Sequence, residues 1–282
     1  QPDVIIFIDY PGFNLRIAKW AKKEGFKTHY YISPQIWAWK EGRIKDIKTD
    51  VDAMYVILPF EKDFYQDKHN YPVHFVGHPL IDAISDREPI TLEAFATAHG
   101  LDQRPIIALL PGSRKQEISK MLDVMLSITE DFANYQFVIA GAPSQEASFY
   151  APFLHKQNVH LLLNKTYDLL SVSHAAIVTS GTATLETALF KVPQVVCYKA
   201  NPISVAIARQ VVKLKFISLV NLILDKEVVT ELIQGDFNTQ RLSKEVNKIL
   251  NKDNRTSLLE SYDDLEQKLG GIGASDTTGQ FI

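Results

Sequence analysis

Ser180-Gly181-Thr182-Ala183-Thr184-Leu185-Glu186 has the composition of an anion cradle. It follows an apolar run, Ala175-Ala176-Ile177-Val178-Thr179, that reads as a buried strand, and it leads into helix-forming Thr187-Ala188-Leu189-Phe190-Lys191. The first N–H groups of a helix have no internal partner, and the helix dipole puts partial positive charge there. Gly181 lets a phosphate approach the backbone, and Glu186, one turn on, is placed to accept from ribose hydroxyls. A second such element follows the run Ile106-Ile107-Ala108-Leu109-Leu110. Pro111-Gly112-Ser113-Arg114 turns the chain, and Lys115-Gln116-Glu117-Ile118 opens an amphipathic helix. Arg114 supplies a fixed cation for a pyrophosphate, next to Gly112 and Ser113. GxxxxGK[ST] is absent, so this is no P-loop. Two strand–glycine–helix turns favour a ligand with a diphosphate and a sugar.

Other polar residues carry two readings each. Asp9 ends the strand Val4-Ile5-Ile6-Phe7-Ile8, as a general base or as a turn or N-cap residue. Asn221 reads a uracil or phosphate edge, or caps loop backbone. Gln234 joins the same wall, or is a solvated helix residue. His78 before Pro79 reads as a structural or cleft-wall residue rather than a general acid, and Asn14 is a further cleft candidate. Asp50-Val51-Asp52 is a DxD, read as solvated strand-entry charges rather than a metal site. Trp37 and Trp39, near Tyr30, Tyr31 and Lys40, suggest an aromatic–basic surface of the kind that meets membranes, or core packing. Residues 203–224, apolar with Arg209, Lys213 and Lys215 interspersed, read as an interfacial or a core helix.

The elements that position these groups alternate. Strands near residues 4–8, 29–32, 53–57 and 73–76 are separated by helices at 15–24, 43–49 and 60–67. A second series runs through 106–110, 137–140, 160–162, 175–179 and 195–198. Helices follow at 204–212, 226–234 and 239–250, then a C-terminal helix at 256–269 and a glycine-rich tail. The pattern is α/β, two doubly wound Rossmann-like domains. Expected bounds are 1–85 for the first domain, 86–255 for the second, and 256–282 for the terminal helix and tail. The chain opens directly on a central-type strand, so the first domain is expected to be N-terminally incomplete.

With 282 residues, about two domains are expected, and 46% hydrophobic with 22% charged residues fits a globular core. A net charge of −3 argues against a general nucleic-acid binder. The single cysteine, Cys197, lies in an apolar run and reads as a buried thiol, with no disulfide or zinc framework within the chain. No apolar run reaches the length of a membrane span and no signal peptide is visible, so a cytoplasmic protein is expected.

The ordered set Ile8-Asp9-Tyr10-Pro11-Gly12-Phe13-Asn14, Ser33-Pro34-Gln35-Ile36-Trp37-Ala38-Trp39, Leu58-Pro59-Phe60-Glu61, Phe75-Val76-Gly77-His78-Pro79, Leu110-Pro111-Gly112-Ser113-Arg114, Ser180 to Glu186 and Ser218-Leu219-Val220-Asn221-Leu222 resembles lipid-A-disaccharide synthase. The resemblance covers nearly the whole chain. It implies an inverting glycosyltransferase of GT-B fold. Such enzymes transfer 2,3-diacylglucosamine from its UDP conjugate to 2,3-diacylglucosamine 1-phosphate (lipid X), forming a β-1,6 linkage and releasing UDP. It further implies no metal and no cofactor, a peripheral position on the cytoplasmic face of the inner membrane, a second copy of the chain as a candidate partner, and Asp9 as base. Two departures stand out: the family's N-terminal strand and Gly/Ser-rich loop are missing, and Gly12 stands where the family often has a second Asp. A UDP-N-acetylglucosamine 2-epimerase-like enzyme, or a fragment that only binds UDP or lipid, are the alternatives.

Overall fold

The computed structural model describes residues 2–200 and 215–282. Two compact units emerge. The first comprises residues 2–86 and Glu266–Ile282, and the second residues 87–200 and Lys215–Leu265. Each is an α/β unit on its own parallel sheet.

In the first unit the strands β1 (Val4–Ile8), β2 (Lys27–Tyr31), β3 (Ala53–Val56) and β4 (His74–Phe75) lie in the order β1-β2-β3-β4. Phe7, Tyr30 and Met54 form the buried face with Ala18, Ala21 and Ile47 from the covering helices. The helix Pro11–Lys23 begins directly at the turn after β1, because Pro11 is preset for a first helical position.

The DxD pair is structural, and not the solvated pair expected. Asp52 accepts from Lys22 Nζ and, at 3.0 Å, from Thr28 N, while Asp50 is buried. Buried Glu61 accepts from Ser33 Oγ at 2.7 Å, Trp37 Nε1 at 3.1 Å and Leu58 N at 3.0 Å. That carboxylate joins two of the sequence motifs. It turns Trp37 inward against Phe60, so of the expected aromatic–basic surface Trp39 and Lys40 are exposed while Tyr30 is fully buried.

The expected glycine-rich tail is instead a turn into a further helix, Ala274–Phe281. It docks on the first unit. The Asp82 carboxylate accepts from Gly273 N at 2.7 Å and Ser275 N at 3.0 Å, and the Tyr55 hydroxyl donates to Phe281 O at 3.0 Å. A Cβ at Gly270 would come within 3.0 Å of Gly77 Cα, so this docking needs a bare backbone there.

In the second unit β5 (Ile106–Leu110), β6 (Gln136–Gly141), β7 (Val159–Leu163), β8 (Ser173–Thr179), β9 (Gln194–Tyr198) and β10 (Glu231–Ile233) form one sheet in the order β10-β9-β8-β5-β6-β7. The inner strands are buried on both faces, as a parallel sheet between helical layers requires. Cys197 is fully buried, which pushes its thiol pKa up.

The expected helix at 226–234 is not formed: its last residues make β10, paired to β9, and Gln234 begins a 3-10 turn. The expected helix at 204–212, and most of the 203–224 segment, lie outside the described residues. The end of that segment, Leu219–Leu224, is a helix with Val220 and Ile223 in the core.

His78 sits in the first unit at the start of the helix Pro79–Ser85, where its Nδ1 accepts from Leu80 N at 3.2 Å. Burial holds its pKa down from 6.5 to about 4. Between those values the unfolded chain takes up a proton that the folded chain refuses, so the stabilisation is full above pH 6.5 and is lost as pH falls toward 4. The full span corresponds to about 3 kcal/mol. Asn retains a cap acceptor without titrating. Urea unfolding of His78→Asn should therefore show a shallower loss of stability than the parent between about pH 6.5 and pH 4.5, with the two curves parallel above pH 7.

Candidate functional site

The strand order of the second unit sets the site. From β5 the chain adds β6 and β7 on one side, then returns to place β8 on the other side of β5. Crossovers between parallel strands are right-handed, so the helices after β5 and β8 leave toward opposite faces of the sheet. A crevice opens at the carboxyl ends of those two strands, the position where open α/β sheets hold ligands. Both sequence-predicted glycine turns fall there. A cavity of about 350 Å³ is lined by Gly112, Ser113 and Arg114 from the first turn and by Ser180, Gly181, Thr182 and Glu186 from the second. Seven of the predicted residues thus share one wall-to-wall site.

Local conformation explains the residue types. Gly112 has φ +101°, and a Cβ there would lie 2.9 Å from Glu117 Oε2. Arg114 is the N-cap of the helix Lys115–Met125 and its side chain does not cap that helix. It is exposed and has no acidic partner among the described residues. No side chain caps the helix Thr182–Leu189 either, so its first N–H groups are left for a ligand. Ser180 Oγ donates to Ile217 O at 2.8 Å, so this hydroxyl holds the turn and the backbone is what faces the cavity. Glu186 is half-buried, and its Oε1 accepts from Tyr167 O–H at 3.0 Å. Burial raises the Glu186 pKa, and burial followed by the Glu186 charge raises Tyr167 to about 12. Glu186 therefore has one oxygen bonded to its anchor while the residue lines the cavity.

Sequence reasoning missed part of the lining. Gly141, Ala142 and Pro143 complete the wall from the end of β6, with Thr166, Thr179 and Glu117. A third strand followed by Gly-Ala-Pro was the available signal. A Cβ at Gly141 would run into the Leu163 side chain, so packing as well as access requires that glycine.

Asn221 and Gln234 do not line this cavity. Asn221 is fully buried. Its Nδ2 donates to Val229 O at 2.8 Å and Glu231 Oε1 at 2.9 Å, and its Oδ1 accepts from Val228 N at 2.8 Å and Val229 N at 3.0 Å. All four of its bonding sites are used within the fold. Gln234 Nε2 donates to Ala200 O at 3.3 Å.

Asp9, Asn14 and His78 belong to the first unit. Asp9 and Tyr10 are consecutive left-handed residues, with φ 46° and 44°. Each costs roughly 1–2 kcal/mol unless surrounding bonds hold it. Those bonds are present: Asp9 O accepts from Asn14 Nδ2 at 2.7 Å and from Tyr30 O–H at 2.6 Å. The Asp9 side chain is exposed at the carboxyl end of β1 and has no hydrogen bond among the described residues. Burial, followed by the Asp9 charge, raises the pKa of Tyr30, which keeps it a donor. Among the described residues no group of three His, Cys, Asp or Glu is arranged to hold a metal, and no helix is long and apolar enough to cross a membrane.

Residues 1–277 match the family described as lipid-A-disaccharide synthetase. The chain is 41% identical over 287 residues to a lipid-A-disaccharide synthase of Coxiella burnetii, covering 100% of this chain and 75% of the relative. It is 42% identical to one of Syntrophus aciditrophicus, covering 98% and 74%. Among solved structures, UDP-GlcNAc 2-epimerase from Neisseria meningitidis bound to UDP-GlcNAc superposes with a TM-score of 0.64 at 14% identity, over 95% of this chain and 76% of that one. That likeness carries the fold: two Rossmann-like sheets of the GT-B kind.

The bonding of Asn221 yields a direct test. Asn221→Ala leaves the Val228 and Val229 N–H groups and the Val229 carbonyl without this partner, and takes one bond from the Glu231 carboxylate, which keeps those from Ile217 N and Ser218 N. Urea unfolding should show a loss of about 3 kcal/mol, while the folded protein keeps the nucleotide affinity of the parent.

Proposed function

The chain belongs to the lipid-A-disaccharide synthase family, and from that premise we propose how its residues divide the work of glycosyl transfer. The donor is UDP-2,3-diacylglucosamine and the acceptor is 2,3-diacylglucosamine 1-phosphate. The observation that carries this reading is the convergence of two glycine turns, two uncapped helix N-termini and the Arg114 cation on one cavity. Such a cavity suits a nucleoside diphosphate, and its size is that of a small-molecule site. The epimerase that shares the fold was solved with UDP-GlcNAc bound, which fits the same ligand class.

In the proposed step, Asp9 accepts the proton of the acceptor's 6-hydroxyl. That oxygen bonds to the anomeric carbon while the bond from this carbon to the diphosphate oxygen breaks. The electron pair leaves with UDP, and the configuration inverts from α to β. Negative charge grows on the diphosphate, and preorganised donors facing that charge lower the barrier. Arg114 and the N–H groups at Thr182 and Ala183 fill that role. Glu186 binds the ribose hydroxyls with its free oxygen. Asn14 and Tyr30 are positioning residues, because they hold the Asp9 backbone in its left-handed turn. The Asp50/Asp52 pair plays no part in metal binding here, since Asp52 is spent on Lys22 and Thr28. Association with the cytoplasmic membrane surface, where acylated substrates reside, belongs to this proposal, as does a second copy of the chain as partner.

Two substitutions separate binding from chemistry. Arg114→Ala should weaken UDP binding measured by calorimetry by about 10- to 100-fold, the value of one charge-assisted contact to phosphate. Asp9→Asn should leave UDP affinity unchanged. It should lower formation of the disaccharide 1-phosphate, followed by mass spectrometry with both lipid substrates, by about 10²–10⁴-fold. Unchanged UDP affinity in Arg114→Ala, or near-parental turnover in Asp9→Asn, contradicts the respective role.

A further inference from the structure

Glu186 is half-buried, and among the described residues one side-chain donor reaches its carboxylate, the Tyr167 O–H at 3.0 Å from Oε1. Tyr167 does not itself line the nucleotide cavity, although its neighbour Thr166 does. It is the second residue of the helix Thr166–Val172, whereas Glu186 belongs to the helix Thr182–Leu189, so the hydroxyl ties two helices together at the cavity's edge. The phenol ring is held in turn. It meets Phe190 edge-on, with ring centroids 5.2 Å apart, and Phe190 lies one turn beyond Glu186. The Arg87 guanidinium sits over the ring, 5.5 Å from its centroid. Arg87 also pairs with one oxygen of Asp168, the residue after Tyr167, and Lys165 Nζ meets the other at 3.1 Å. Burial, followed by the Glu186 charge, raises the phenol pKa to about 12, so Tyr167 stays a donor through the neutral range.

We infer that Tyr167 is a positioning residue that aims the Glu186 carboxylate at the sugar of the nucleotide and so makes the site select ribose over 2′-deoxyribose. The inference rests on the proposed reading of this cavity, in which Glu186 accepts from the ribose hydroxyls. The last torsion of a glutamate is soft, and a carboxylate bonded only to water turns freely about it. A bond to one oxygen, from a donor that is itself braced by Phe190 and Arg87, fixes the plane of the group. An acceptor that cannot turn away is left unpaired by a sugar that lacks its hydroxyl, and that penalty is what discriminates. The same contact serves the charge. Burial raises the Glu186 pKa and the Tyr167 bond opposes that rise, which keeps the group an ionised acceptor. Gly112, Arg114 and Gly181, which face the diphosphate in that reading, have no bond to Tyr167 among the described residues, so its influence is confined to the sugar.

The test is calorimetry of the whole chain with UDP, 2′-deoxy-UDP and inorganic pyrophosphate. The parent is expected to bind UDP roughly tenfold or more tighter than 2′-deoxy-UDP. Tyr167→Phe keeps the ring on Phe190 and beneath Arg87 and removes only the donor. It should weaken UDP roughly tenfold and 2′-deoxy-UDP less than about twofold, with pyrophosphate unchanged. A purely structural role would lower all three together. In a Glu186→Ala background, adding Tyr167→Phe should change UDP affinity by less than about twofold, because its effect passes through the carboxylate. Thermal melting, run alongside, checks the fold. Should Tyr167→Phe unfold, Arg87→Gln, which frees the ring but leaves the hydroxyl, takes its place and should lower the preference for ribose in the same direction. A parent that binds UDP and 2′-deoxy-UDP alike, or a variant that keeps the parent's ratio, overturns the inference and leaves the nucleotide site standing. Equal loss of all three ligands in folded Tyr167→Phe also overturns it, assigning Tyr167 to the frame of the cavity. A parent that binds neither UDP nor pyrophosphate overturns the nucleotide reading and this inference with it.

Discussion

The reversal of strand order between β5 and β8 is the constraint on which the second unit depends. Strands laid down to either side of β5 must send their right-handed crossovers to opposite faces, and no helix can then cover the gap between the two carboxyl ends. Helix N-termini point into that gap because each helix follows directly on its strand. The two glycine turns are consequences of the same geometry: the chain must change direction within three or four residues and still leave backbone N–H groups uncovered. Glu117 pressed against Gly112, and Leu163 against Gly141, show how little room the turning backbone has.

Polar residues in this molecule divide by whether their bonding capacity is already spent. Asn221, Asp52, Glu61 and His78 are engaged by the fold: each accepts from backbone N–H, and Asp52 also pairs with Lys22. Arg114 and Asp9 are not, and each stands at the carboxyl end of a parallel strand. Buried polar atoms are normally satisfied, so a group whose partners are all internal has a structural reason to be there, whereas Arg114 and Asp9 are exposed and keep their bonding capacity open to solvent or to a ligand. The strained pair Asp9–Tyr10 supports the second category. A left-handed turn of two non-glycine residues is retained, and bonds from Asn14 and Tyr30 hold it.

Much of this was legible in the sequence. Apolar runs of five residues followed by glycine turns marked β5 and β8, and the residue types after them picked out residues that line one cavity, without any knowledge of which strands are neighbours. What the sequence did not reveal depends on distant partners. Residues 231–233 became a strand because β9 offered an open edge, against a local composition that favoured a helix. The segment after Gly273 became a helix because Asp82, nearly two hundred residues earlier, caps it, and Tyr55 receives Phe281. Asn221 carried two readings in the sequence, a ligand contact or a cap on loop backbone, and the second is the one the fold displays. Only the fold shows that Val228, Val229 and Glu231 close around it. Conversely, Glu61 stood in the sequence only as the end of the Leu58–Glu61 motif, and its position beneath Ser33 and Trp37 requires three-dimensional pairing to see.

The central claim is that two turns distant in sequence form one diphosphate site because β5 and β8 are neighbours. Amide hydrogen exchange of the whole chain with and without UDP tests it most directly. The account predicts that UDP slows exchange together at the first turn, residues 112–116, and at the second, residues 181–184, with the amides around Asn221 unaffected. Protection at only one turn, or at neither while UDP is demonstrably bound, would contradict it.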